Sequence, residues 1–310
     1  MSIQFRLSVA VILLLGLIFS CKDSATLPQS WRTAWENPPA SYRPLQIVHG
    51  ADIRNKAAYY KDTCGLGGVV CNVVFGDRYL KSEEDWKVFV EGVKTMYDAD
   101  LHVWIYDEDG YPSLAAGGRV LEADPSLEAL EMVYDKEDKQ QPFKVRPCYE
   151  FVHASNNFYA ARRYPNPLDP EATQKFIELT HQAYYKHLGP ELYGKVEAFF
   201  TDEPSMMGCN LGQLREEVRK NVRVIDPVDP KKKNLPMISW ANDLPAKYKA
   251  RYGEDLMTSI ASVFTGNEEK DKVVRQKFWS LLAETDKDNY YTVIQTWLKV
   301  TREANQGKGP

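Results

Sequence analysis

The chain has 310 residues, 44% of them hydrophobic and 26% charged, with a formal net charge of -4. That composition describes a globular protein and excludes a disordered or fibrous one; the acidic balance and scattered Lys and Arg argue against nucleic acid as a partner. "KKK" at 231–233, between Pro227, Pro230 and Pro236, reads as a solvated loop.

In chain order, Met1 to Ser20 carry Arg6 and then the apolar run "VAVILLLGLIF". The run is too short for a comfortable membrane span and has the form of a signal peptide. "LIFSC" resembles a bacterial lipoprotein processing box, which predicts lipidation at Cys21, a tether over 21–40 and export to the outer membrane or cell surface. Plain secretion, with a periplasmic location, is the competing expectation. The only membrane contact expected is through the lipid. Beyond Cys21 stand Cys64, Cys71, Cys148 and Cys209, which allow three pairings but are expected as buried free thiols. No CxxC or HExxH spacing suggests zinc.

Five apolar, β-branched runs follow: 45–49, 68–75, 101–106, 195–200 and 236–240. Their near-continuous hydrophobicity predicts strands covered on both faces, and the helical patterns between most of them predict an α/β fold with a parallel sheet. "SEEDWKVFVEGVKTMYDA" has Ser82 as N-cap, acids in the first turn, and Trp86, Phe89, Val90 and Val93 on one face. The helix after Asp169 opens on Pro170 and should stop at Gly189. From Asp135 to Asn166 an antiparallel excursion interrupts the rhythm before the fourth strand.

In a parallel barrel the chemistry gathers at the C-terminal strand ends. After the third run, Asp107, Glu108 and Asp109 lie among Trp104, Tyr106 and Tyr111; acceptors beside ring faces suit a sugar, although an acidic turn can also satisfy its own backbone. After the fourth, Asp202 and Glu203 in "TDEPS" sit side by side where a buried strand ends. Desolvation and a like neighbour favour a protonated carboxyl, as a general acid requires; a helix cap is the plainer alternative. His49 ends the first strand and His153 lies in the excursion. Trp240, after the fifth run, is either a binding aromatic or a core residue. His181 and His187 read as packing or surface residues of a helix. GxSxG and P-loop patterns are absent, and "GLGG" at 65–68 precedes a strand, unlike a phosphate cradle.

"NPPASYRP", "GLGGVV", "WIYDEDGYPSLAAGG", "NPLDPEATQKFIELTHQAYYKHLG", "FFTDEP" and "ISWANDLPAKYKARYGEDL" resemble, in this order from Asn37 to Trp297, the catalytic barrel of large secreted bacterial glycoside hydrolases, in particular the α-L-rhamnosidases of glycoside hydrolase family 106. The resemblance implies a (β/α)8 barrel, hydrolysis of a polysaccharide glycosidic bond and a bound calcium near the sugar. It places a general acid at Glu203, supported by Asp202, with Asp107 and Glu108 lining the sugar or metal site. Leu114 stands where a glycine is expected after "YPS". Five barrel strands over 41–310, and no second strand-end carboxylate, mark the chain as the N-terminal piece of a longer enzyme, inactive without the rest of its barrel. A surface glycan-binding lipoprotein that keeps the aromatic cleft without catalysis is the alternative function; a remnant that does not fold stably is the blandest.

Overall fold

The computed structural model describes residues 28–49, 53–72, 81–109, 112–150, 164–204, 206, 208–209, 235–266 and 268–305. The chain divides into two compact units, Met1–Arg43 and Pro44–Pro310. In the first, α1 (Gln29–Glu36) precedes a short 3-10 turn, Ala40–Tyr42. The Arg43 guanidinium closes this segment, donating to the Pro38 carbonyl at 2.7 Å and Asn37 Oδ1 at 2.6 Å.

The second unit is mixed α/β. Strands β1 (Leu45–His49), β2 (Gly68–Asn72), β3 (His102–Tyr106) and β7 (Ala198–Phe200) form one parallel sheet in the order β1-β2-β3-β7. Helix α2 (Glu83–Asp98) links β2 to β3 and begins as its sequence predicts, the Ser82 side chain accepting the Asp85 N–H at 3.2 Å. Trp86, Phe89 and Val93 are buried along it. They pack with Val48, Val69, Cys71, Val103 and Ile105 from alternate strand positions, and with Tyr184 and Leu188, into the larger core.

The predicted antiparallel excursion is present and wider than the sequence suggests. Strands β4 (Leu130–Tyr134) and β5 (Phe143–Pro147) pair antiparallel, and Glu131, fully buried, meets its cross-strand neighbour Arg146 at 2.5 Å. A second small pairing joins β6 (Tyr149–Glu150) to β8 (Gly208–Cys209). The fifth apolar run requires a correction: β9 (Met237–Trp240) is not a strand of the parallel sheet but pairs antiparallel with β4. An apolar run marks a buried strand without saying which partner covers it or in which direction it runs. The short α3 (Arg119–Ala123) leads into the excursion.

The helix expected from Asp169 to Gly189 breaks at Thr180, giving α4 (Pro170–Leu179) and α5 (His181–Tyr193); Gly189 is a left-handed kink within α5. Asp169 caps α4 as predicted, accepting the Glu171 N–H at 2.8 Å. Helices α6 (Leu244–Tyr252), α7 (Leu256–Thr265) and the 37-residue α8 (Glu269–Asn305) complete the described chain. Their apolar faces and the inner side of β4 and β9 form a second core around Trp240, Leu244, Tyr248, Ile260 and Phe278.

Gly68, the last residue of "GLGG", opens β2. A Cβ there would collide with the His102 carbonyl of β3, backbone that cannot swing aside. Gly68→Ala is therefore expected to destabilise the protein by about 1–3 kcal/mol, the usual cost of overpacking, seen as a lowered denaturation midpoint at unchanged slope.

Candidate functional site

The register of the parallel sheet sorts its residues onto two faces. His49, Tyr106 and Phe200 share one row, and Ile47, Val70, Trp104 and Ala198 the row beneath, all on the face opposite the helix-covered core. Neither core cluster includes any of these residues. His49 is exposed, Ile47, Trp104 and Phe200 are half-buried, and Val70 and Tyr106 are buried, 5% and 3% exposed. Tyr106 stacks obliquely on Phe200 with ring centroids 5.3 Å apart. A parallel sheet ordinarily has both faces covered; here the second face is an incompletely covered aromatic floor. Beyond its C-terminal edge stands Asp202, whose Oδ2 accepts the Tyr106 hydroxyl at 2.6 Å. Burial and this carboxylate raise the Tyr106 phenol well above its ordinary range, so it remains a donor.

The Thr201–Pro204 turn is tied to the loop after β3 from both directions. Ser113 N–H donates to the Asp202 carbonyl at 2.8 Å, and Asp202 N–H donates to Ser113 Oγ at 2.9 Å. Ser113 Oγ in turn donates to Asp107 Oδ1 at 2.7 Å, while Thr201 Oγ1 donates to Asp107 Oδ2 at 2.6 Å. Tyr164 adds a hydroxyl donor to the Ser113 carbonyl. Three of the four non-glycine residues with positive φ in the described chain fall in these two loops: Leu114 at 112°, Ala116 at 49° and Glu203 at 40°. Such conformations cost free energy and cluster where function over-determines the backbone. Leu114 thus holds the backbone geometry that makes a glycine the expected residue at its position.

Glu108 acts on the same loop from within. It is fully buried, and its carboxyl accepts the N–H groups of Ala116 at 2.7 Å, Gly117 at 2.5 Å and Asp109 at 3.0 Å. Burial nevertheless pushes it up to about 8, against the pull of these three donors. Asp107 is equally buried. Both residues were expected to line a sugar or metal site; with their oxygens engaged by protein donors and shut away from solvent, they do not fit a calcium ion in this arrangement. Among the described residues no group of three or more His, Cys, Asp and Glu side chains is placed to hold a metal.

Of the two adjacent acids, Asp202 is half-buried and Glu203 exposed. The desolvation expected at the strand end therefore falls on Asp202 and, more fully, on Glu108. Trp240 is buried in the second core, 3% exposed, and offers no ring face to a ligand. Tyr111, His153 and Cys21 lie outside the described residues, as does "KKK". Cys64 and Cys71 are free thiols, the first exposed and the second buried; burial raises the Cys71 thiol to about 12, and Cys148 is buried as well.

Sequence reasoning missed Ser113, Thr201 and His181. His181 is 2% exposed, its Nε2 3.3 Å from Asp107 Oδ2 and its ring 4.5 Å from that of Phe199. The spacing Ile177, His181, Tyr184, Leu188 carried the signal, since it places the histidine on the apolar stripe. Behind the turn a cavity of about 20 Å³, room for a single water, is lined by Leu114, Thr201, Pro204 and Asp286 of α8, whose carboxyl is raised by burial.

No protein-family model, curated protein or solved structure matches the chain.

The Glu108 arrangement has a measurable pH signature. The folded state retains a proton that the unfolded chain releases above the ordinary 4.5, so this contribution to stability is fullest below about 4.5 and is lost as the pH rises through about 8. Glu108→Gln should flatten that decline in thermal scans across the window. It should also cost about 1–3 kcal/mol at low pH, because an amide cannot accept three N–H donors with one oxygen.

Proposed function

We propose that the chain is a glycoside hydrolase of the α-L-rhamnosidase type, its parallel sheet part of a (β/α)8 barrel whose interior is the aromatic floor. The observation that carries this reading is the meeting of that floor with Asp202 at one end of the sheet, with the exposed Glu203 next to it in the chain, in loops held under backbone strain. Ligands of parallel α/β sheets bind at the carboxyl ends of the strands. Ring faces at the half-buried Trp104 and Phe200 suit the C–H faces of a sugar, and Asp202, held by the buried Tyr106, offers acceptors to its hydroxyls.

In this mechanism Glu203 donates a proton to the departing glycosidic oxygen, and a bound saccharide covering it supplies the desolvation a general acid needs. Asp202, oriented by the Tyr106 hydroxyl, orients the sugar beside it. Hydrolysis requires a second carboxyl, about 5–5.5 Å away for retention or about 6.5–9.5 Å for inversion. In this reading an element beyond the four described parallel strands supplies it. His49, in the Tyr106 row, lies on the edge strand β1, where it reaches the far end of an oligosaccharide. Lipidation of Cys21 would hold the enzyme at the outer membrane or cell surface, where such substrates are met. No helix among the described residues is long and apolar enough to cross a membrane.

The test pairs binding with turnover on a panel of rhamnosides and related glycosides. Saccharide should quench or shift Trp104 fluorescence, and Trp104→Ala should weaken binding at least tenfold. Where the chain turns substrate over, Glu203→Gln should lower kcat by about 100-fold or more on poor leaving groups, and far less on activated aryl glycosides that leave without a proton. Binding with no turnover, insensitive to Glu203→Gln, would favour the non-catalytic glycan-binding alternative. Failure to bind any saccharide would overturn both.

A further inference from the structure

We propose that Asp107 and His181 are a positioning pair for the Thr201–Pro204 turn, holding Asp202 and Glu203 in place over the aromatic floor. A carboxyl and an imidazole, 0% and 2% exposed, have been removed from water at a point where aliphatic side chains would pack at lower cost. Stability alone therefore gives a poor account of them. What they touch gives a better one.

Asp107 receives Ser113 Oγ–H on one oxygen and Thr201 Oγ1–H on the other, and its own N–H donates to the Phe200 carbonyl at 3.2 Å. It thereby grips β7 where the strand ends and, through Ser113, both backbone groups of Asp202. The next residue, Glu203, has φ at 40°, a conformation that persists only where the surroundings fix it. His181 completes the grip from the helical side. The break between α4 and α5 puts it at the first position of α5, its ring wedged edge-on against Phe176 (5.9 Å between centroids) and obliquely on Phe199, with Nε2 facing Asp107 Oδ2. That approach, 3.3 Å, is of ion-pair length without hydrogen-bond alignment, and neither ring nitrogen has a hydrogen-bond partner among the described residues, so the imidazole holds Asp107 by proximity and charge rather than by a formed hydrogen bond. Asp107 is thus turned away from the sugar side of the sheet. It acts through Ser113 and Thr201, and His181 acts through it.

The holding role stands on this geometry alone; its catalytic meaning rests on the glycosidase reading, and the experiment separates the two. In the full chain, His181→Phe retains the ring and its packing but removes the nitrogens, while His181→Gln restores an N–H donor. In His181→Phe, amide exchange at Ser113 and Asp202 should accelerate by about tenfold to 100-fold, with protection in β1, β2 and α2 unchanged. On a glycoside that the wild type hydrolyses, kcat should fall by a similar factor with KM within about threefold. His181→Gln should recover most of both. The proposal is overturned if His181→Phe exchanges like the wild type, if protection is lost throughout the sheet, or if the glutamine does not rescue. Local loss of protection in a protein that binds no saccharide would sustain the positioning pair and defeat the glycosidase reading instead.

Discussion

One buried carboxyl organises the end of the parallel sheet. Asp107 sits where β3 stops, and hydroxyl donors reach its two oxygens from segments far apart in the chain: Ser113 in the loop it begins, and Thr201 at the end of β7. Because both donors are short, uncharged side chains, the network can close only if the two loops approach to within hydrogen-bond distance. Leaving a group so fully withdrawn from water without partners costs free energy. The free energy of leaving it unpaired is therefore what draws the DEDGYPS and TDEP segments together.

The rest of the site follows from strand alternation. With Asp107 directed to the helical side, its neighbours Tyr106 and, across the register, Phe200 project to the other face, and Asp202 continues that face beyond the strand end. Glu108, one residue on, turns inward and clamps Ala116 and Gly117. Three consecutive positions thus divide their work: Tyr106 and the floor to one side, Asp107 to the scaffold, Glu108 to the loop. Adjacent carboxylates in sequence are, in this fold, far from equivalent in environment.

The four parallel strands, the Ser82 and Asp169 caps and the interruption before the fourth strand were legible because they are written in local patterns of hydrophobicity and capping chemistry, whereas β4 and β8 fall in none of the apolar runs. The direction of β9 was not, since its run of apolar residues satisfies a parallel or an antiparallel neighbour equally well. The break at Thr180 was hidden by residues that are all tolerable in a helix interior. Asp202, Glu203 and Tyr106 were readable as candidates from their position after apolar runs. The inward turn of Asp107 and Glu108 was not, because it depends on Ser113, Thr201 and the amides of Ala116 and Gly117, whose convergence is a property of the tertiary fold. The same holds for Trp240, whose fate was decided by the helices that cover it.

Gly68 carries a consequence beyond its own strand. Since side chains alternate, a slip of one residue between β2 and β3 would exchange the two faces of the sheet, sending Val70 and its row into the helical core and Val69 out. The His102 carbonyl admits no β-carbon opposite it, which closes the slip that would bring Val69 there, while the opposite slip, which would bring Gly67 there, is opposed by the burial of Val69 and Cys71. The aromatic row at the far end of these strands is in this sense indexed by an absent methyl group: its composition is chosen at one edge of the sheet and expressed at the other.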